Sequence, residues 1–226
     1  MNSGADGRRN TGLPLKIREA LVRESAPVRP VLPAPFRAAL VVAIACAAGL
    51  AYLTIEGLRA DSERIGSLPV WGPAVMRVLA ATWLLVLAFR NAVPGTRSPR
   101  TARWIAVIGA PALLVALAEY LARAGGSPGP PHGTILAGML GCYPKEIAVA
   151  VPTALGLAWL LSRSYPLHPV FVSVCGTLGV GLLADAALHL TCAATNVTHT
   201  LVVHGGAVAT LAALGAAIGY LGGRRS

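Results

Sequence analysis

The chain has 226 residues, of which 55% are hydrophobic and only 12% charged, with a formal net charge of +10. Its apolar residues come in runs of about 20, long enough to cross a hydrocarbon core of about 30 Å at about 1.5 Å per residue, which excludes an ordinary soluble domain. The basic charge carries no aromatic-interleaved patch or nucleic-acid motif, so no direct binding to nucleic acid is expected.

Residues 1–12 are rich in Gly, Asn, Ser and Arg and offer nothing to pack. Over 13–24 the pattern changes. Leu13, Ile17, Ala20 and Leu21 fall at helical spacing, and Glu19 and Arg23 stand four apart. The spacing predicts a short amphipathic helix, which is marginal alone in water. Its basic flanks suit an anionic membrane leaflet; its stripe of Leu13, Ile17 and Leu21 equally suits a groove on a soluble partner. The stretch A-P-V-R-P-V-L-P-A-P follows, and its prolines enforce an extended spacer. Residues 1–36 thus form an N-terminal segment set apart from the membrane domain. The first apolar run lies too far in, and is too long, for a cleaved secretory signal, so the N-terminus is expected to be retained.

Six apolar runs follow, over 37–55, 70–89, 104–121, 147–161, 170–190 and 201–221. They predict an all-α polytopic membrane fold with six transmembrane helices in 37–221 and a short tail at 222–226. Basic residues gather before the first run, between the second and third (Arg90, Arg97, Arg100, Arg103), at Arg163, and at Arg224 and Arg225. The opposite face holds Arg59, Arg64, Arg123 and Lys145, so both termini are expected in the cytoplasm of the bacterial inner membrane. The loops are too short for a soluble domain. G-A-A-I-G at 215–219 is a small-residue pattern that predicts close helix contact.

Ionisable side chains inside spans are costly and point to a site. Glu119, Glu146, Asp185, His189 and Arg77 all fall toward the periplasmic ends. Cys142 stands just before the fourth run and Cys192 just after the fifth, so an antiparallel pair would bring both thiols to one membrane face. Asp185, His189 and Cys192, at i, i+4 and i+7, are expected on one helix face. With His199 and His204 they make a layer of thiols, imidazoles and carboxylates. Such a layer could hold a transition-metal ion of the zinc or cadmium type at Cys142 and Cys192. It could equally hold a permanent disulfide or a reversible one in an oxidising compartment, and the histidines could simply cap helices or pair with Asp185. Cys46 and Cys175, inside spans, read as buried, inert packing thiols. No nucleophile elbow, phosphate loop, zinc-protease helix or rhomboid-like serine site is present, which argues against an enzyme. A small metal-ion or solute transporter using the same cluster is the competing function, though the ionisable residues do not continue across the bilayer.

Several stretches resemble the NrsF (negative regulator of sigma F) family of six-span bacterial membrane proteins. They are L-V-R-E-S-A-P-V-R-P-V-L-P-A-P-F-R ahead of the first span, G-C-Y-P-K-E with Pro152 after it, and S-R-S-Y-P-L-H-P before a glycine-rich V-C-G-T-L-G-V-G-L-L-A-D. L-H-L-T-C, followed by H-G-G, completes the set. Family members tend to have Trp-His where this chain has Val203-His204, so any role of that tryptophan does not carry over. The resemblance implies an anti-sigma factor that sequesters an extracytoplasmic-function sigma factor. It further implies release on heavy-metal or oxidative stress sensed through paired cysteines, here Cys142 and Cys192. The sigma factor would be held by the N-terminal segment through Leu13, Ile17 and Leu21.

Overall fold

The computed structural model describes residues 32–93, 100–124, 135–164, 166–193 and 197–224, together with Glu19. Its contacts divide the chain into Met1–Val31 and Leu32–Ser226. The helix expected over 13–24, with Leu13, Ile17 and Leu21, lies outside the described residues.

Among the described residues the secondary structure is entirely helical. The order is α1 (Ala34–Glu56), α2 (Ser62–Ile65), α3 (Ser67–Asn91), α4 (Arg100–Ala124), α5 (Ile135–Leu161), α6 (Pro169–His189), the single turn α7 (Val197–His199), a π-helical turn Thr200–His204, and α8 (Gly205–Gly223). Five stretches are long and apolar enough to cross a membrane: α1, α3, Met139–Leu161 of α5, α6, and Thr200–Gly223. The third predicted run appears as a shorter apolar stretch, Val107–Ala122, within α4. Large apolar side chains such as Leu50, Ile55, Trp71, Leu113, Leu155 and Ile218 face outward. That is the surface of a multi-pass protein solvated by lipid rather than water.

α6 occupies the centre of the bundle, packing against α1, α3, α5 and α8. Its sequence explains the position: small residues let neighbours approach on every side. A Cβ on Gly179 would meet Leu85 Cγ of α3 at 3.0 Å, and one on Gly176 would meet Leu157 Cδ2 of α5 at 2.8 Å. On the α8 side, the predicted small-residue pattern does make the contact, with Gly215 against Ser173 and Thr177 and Gly219 against Pro169 and Val170. Cys175 is buried within this core, as expected.

Two expectations need correction. α5 begins at Ile135, so Cys142 lies inside the helix and not ahead of it. The fourth apolar run starts only after Pro144 and two charges, but packed membrane helices tolerate proline because neighbours and local adjustments satisfy the freed backbone. The charges are also matched, Lys145 Nζ to Glu56 Oε2 at 2.7 Å and Glu146 to His204. Cys46 is the second: it is exposed, lining an apolar groove between α1, α3 and α6, because α1 is apolar all round and its open side looks like a core face in sequence.

At the end of the bundle away from Cys142 and Cys192, Arg37 is buried. It donates through Nη1 to Ser164 Oγ (2.8 Å) and through Nη2 to the Phe89 carbonyl (3.1 Å), with its guanidinium 4.7 Å from the Phe89 ring centre. The start of α1 is thereby tied to the end of α3 and the turn after α5.

The α6–α8 contact sets a test. An added Cβ at Gly219 would lie 2.7 Å from Val170 Cα and 2.8 Å from the Pro169 carbonyl oxygen, both rigid backbone, whereas one at Gly222 meets nothing within 4 Å. Gly219→Ala should therefore cost roughly 1–3 kcal/mol through overpacking and lower the melting midpoint of the detergent-purified protein. Gly222→Ala should leave the midpoint unchanged.

Candidate sensor and ion-pair site

Arg77 is held in the middle of α3, an apolar helix with no other charge between Ser67 and Phe89. Buried there, its guanidinium needs counter-charges from other helices. Nε donates to Asp185 Oδ2 of α6 at 2.6 Å, and Nη2 donates to Glu119 of α4. Asp185 in turn faces His204, whose Nδ1 lies 3.2 Å from Asp185 Oδ1 and 2.9 Å from Glu146 Oε2 of α5. Set against two carboxylate oxygens, Nδ1 carries the proton and donates. One connected network therefore joins α3, α4, α5, α6 and the π-helical turn.

The thiols lie directly against this network. Cys142 Sγ and Cys192 Sγ are 3.7 Å apart as free thiols, and Cys192 Sγ lies 3.5 Å from His199 Nε2. The His199 and His204 rings meet edge to face with centres 5.2 Å apart. Cys192 reaches Cys142 because α6 ends at His189 and the chain turns, its amide donating to the Leu188 carbonyl at 2.8 Å. Arg59 steadies that turn: its amide donates to the Leu190 carbonyl at 2.9 Å, while its buried guanidinium pairs with Asp61 at 2.6 and 2.9 Å.

Ligand atoms of Cys142, Cys192, His199 and His204 all lie within 4.8 Å of one another, as do those of Glu146, Asp185 and His204. A small polar cavity of about 10 Å³ adjoins both sets, lined by Arg77, Glu119, Ala122, Asp185, His189, Cys192, Thr200 and His204. Its volume is near the minimum for one water molecule. Arg77 Nη1 and Glu146 Oε1 are buried without a hydrogen-bond partner among the described residues.

Most of the expected layer is thus assembled, with one difference. His189 does not join the thiol group: its Nε2 lies 3.4 Å from the Pro69 carbonyl. α6 ends at His189, yet Asp185, His189 and Cys192 line one cavity, the Cys192 amide donating to the Leu188 carbonyl at 2.8 Å. Sequence reasoning placed Arg77 in the layer by depth alone and missed that it is the hub. A single arginine in an apolar run was the available signal. It also missed buried Arg37 and Arg59, which look like ordinary flanking charges, and the Tyr143 Oη to Thr210 Oγ1 hydrogen bond (2.7 Å) that ties α5 to α8 beside the site.

A family model described as NrsF, negative regulator of sigma F, matches residues 21–222, nearly the whole chain. No curated protein and no solved structure matches it.

The ion-pair hub can be tested by substitution. Arg77→Met strands Asp185 among helices without its cation and should destabilise the detergent-purified protein by about 3–5 kcal/mol. Adding Asp185→Asn removes the stranded charge and should recover part of that loss in a thermal or denaturant melt. No recovery would mean that the Arg77 pairing is not what the bundle relies on.

Proposed function

The chain belongs to the NrsF family, negative regulator of sigma F, and on that premise we propose that it is an anti-sigma factor of the bacterial inner membrane. In this reading six spans place both termini in the cytoplasm. The N-terminal segment captures an extracytoplasmic-function sigma factor through Leu13, Ile17 and Leu21. The regulatory target, a sigma factor, follows from the family; the observation that carries the sensing half is the thiol pair at 3.7 Å. Two free thiols that close, one on α5 and one on the turn after α6, form an input whose chemistry alters how two spans are joined.

Oxidation would link Cys142 Sγ to Cys192 Sγ, with two protons and two electrons passing to the oxidant; a metal ion would link them through thiolates. Either bond constrains α5 against α6, the helix at the centre of the bundle. The far end of that bundle is where Arg37 fixes the start of α1, which follows directly on the N-terminal segment. Release needs only a modest difference between the two membrane states: a hundredfold loss of affinity for the sigma factor corresponds to about 2.8 kcal/mol.

Co-purification from membranes tests both links. Deletion of residues 1–30, or Leu21→Asp, should abolish capture of the sigma factor; capture that survives both changes would remove the N-terminal segment from the mechanism. Cys142→Ser with Cys192→Ser should retain capture but no longer release on exposure to cadmium or peroxide. A response equal to that of the unmodified chain would make the pair purely structural.

A further inference from the structure

We propose that Cys142, Cys192, His199 and His204 form a tetrahedral site for one divalent ion of the zinc type, with Glu146 orienting His204. The inference deepens the sensing reading above and rests on it for its biological role, but its geometry stands alone. In tetrahedral coordination, zinc–sulfur bonds of about 2.3 Å and zinc–nitrogen bonds of about 2.0–2.1 Å set the S···S edge at about 3.8 Å and the S···N edge at about 3.5 Å. The Cys142 Sγ to Cys192 Sγ distance is 3.7 Å and the Cys192 Sγ to His199 Nε2 distance is 3.5 Å. These two edges already have the lengths that an ion would impose, and the remaining ligand atoms lie within 4.8 Å. A disulfide would instead require the sulfurs to close to about 2.05 Å.

His204 supplies the fourth corner. Its Nδ1 is engaged by Glu146 Oε2 at 2.9 Å and Asp185 Oδ1 at 3.2 Å, which leaves Nε2 as the ligand nitrogen. A carboxylate behind the far nitrogen of a ligating histidine fixes its tautomer and its aim. The neighbouring Glu146, Asp185 and His204 group is the poorer candidate, since Asp185 is committed to Arg77 and the set lacks the soft thiolates that favour zinc or cadmium. Charge also favours the thiol site. Each thiol gives up its proton on binding, so one divalent ion replaces two protons and the net charge of the half-buried site is unchanged. The four ligands come from α5, the turn after α6, α7 and the π-helical turn, so a single ion fastens the last two spans to the fourth predicted one.

The full-length protein, reduced and purified in detergent, should retain one equivalent of zinc after desalting. With cobalt in its place it should show the intense visible bands of tetrahedral thiolate coordination. His199→Gln and His204→Gln should each weaken zinc binding at least tenfold and change the cobalt spectrum. Glu146→Gln should keep one equivalent while weakening it by about 10–100-fold. Zinc should also protect Cys142 and Cys192 from diamide-driven disulfide formation in the unmodified chain but not in His199→Gln. Oxidation of metal-free His199→Gln at the normal rate shows that its thiols remain juxtaposed, so lost protection reports a lost ligand. Histidine variants that bind zinc like the unmodified chain, or an octahedral cobalt spectrum, would overturn the site. Zinc retention without sigma-factor capture would leave the site standing and remove the anti-sigma reading; capture without zinc retention would do the reverse.

Discussion

A guanidinium buried among apolar helices must be neutralised where it stands, and Arg77 is neutralised from two other helices at once. Asp185 and Glu119 can reach it only when α3, α4 and α6 are in register, so the ion pairs select one packing among the several that apolar helices in lipid would otherwise accept. Burial of charge is weak evidence of net stability, because desolvation offsets much of the attraction. Its larger effect here is to specify the arrangement. The thiol pair inherits that specification, since Asp185 also faces His204 and His204 lies beside Cys192.

The two ends of the bundle use arginine differently. Arg77 meets carboxylates and so makes a charged centre sensitive to anything that moves His204 or Asp185. Arg37 meets a hydroxyl, a carbonyl and an aromatic face, none of them titrating, and works as a fixed clasp. Between them runs α6, whose glycines bring neighbouring helices into close contact. The central helix thus has a charged network at one end and a clasp of uncharged partners at the other.

The apolar runs were legible because lipid demands a length and a composition that few other environments impose. Depth was legible too, since ionisable residues near one end of several runs meet once the runs stand side by side. What the residues did not disclose was detail set by partners. Cys142 was expected just ahead of the fourth span because the apolar run begins only after Pro144 and two charges, whereas α5 starts at Ile135. Cys46 looked buried because one side of an all-apolar helix cannot be told from another by composition. His189 was grouped with Asp185 by helical spacing and does line the same cavity, but its contact with the Pro69 carbonyl on α3 could not be read from the sequence.

The histidine spacing carries one more lesson. His199 and His204 are five apart, and at 3.6 residues per turn an α-helix would set them about 140° out of phase, with one ring facing away from the thiols. The π-helical turn at Thr200–His204 closes each loop over five residues instead of four, with the Gly205 amide bonded to the Thr200 carbonyl. In that wider winding, positions five apart fall nearer one face, and the two rings stand 5.2 Å from each other. A local change of helical pitch thus does the work that an i, i+4 spacing would do in an ordinary helix: it lets H-T-L-V-V-H present both imidazoles to the same point.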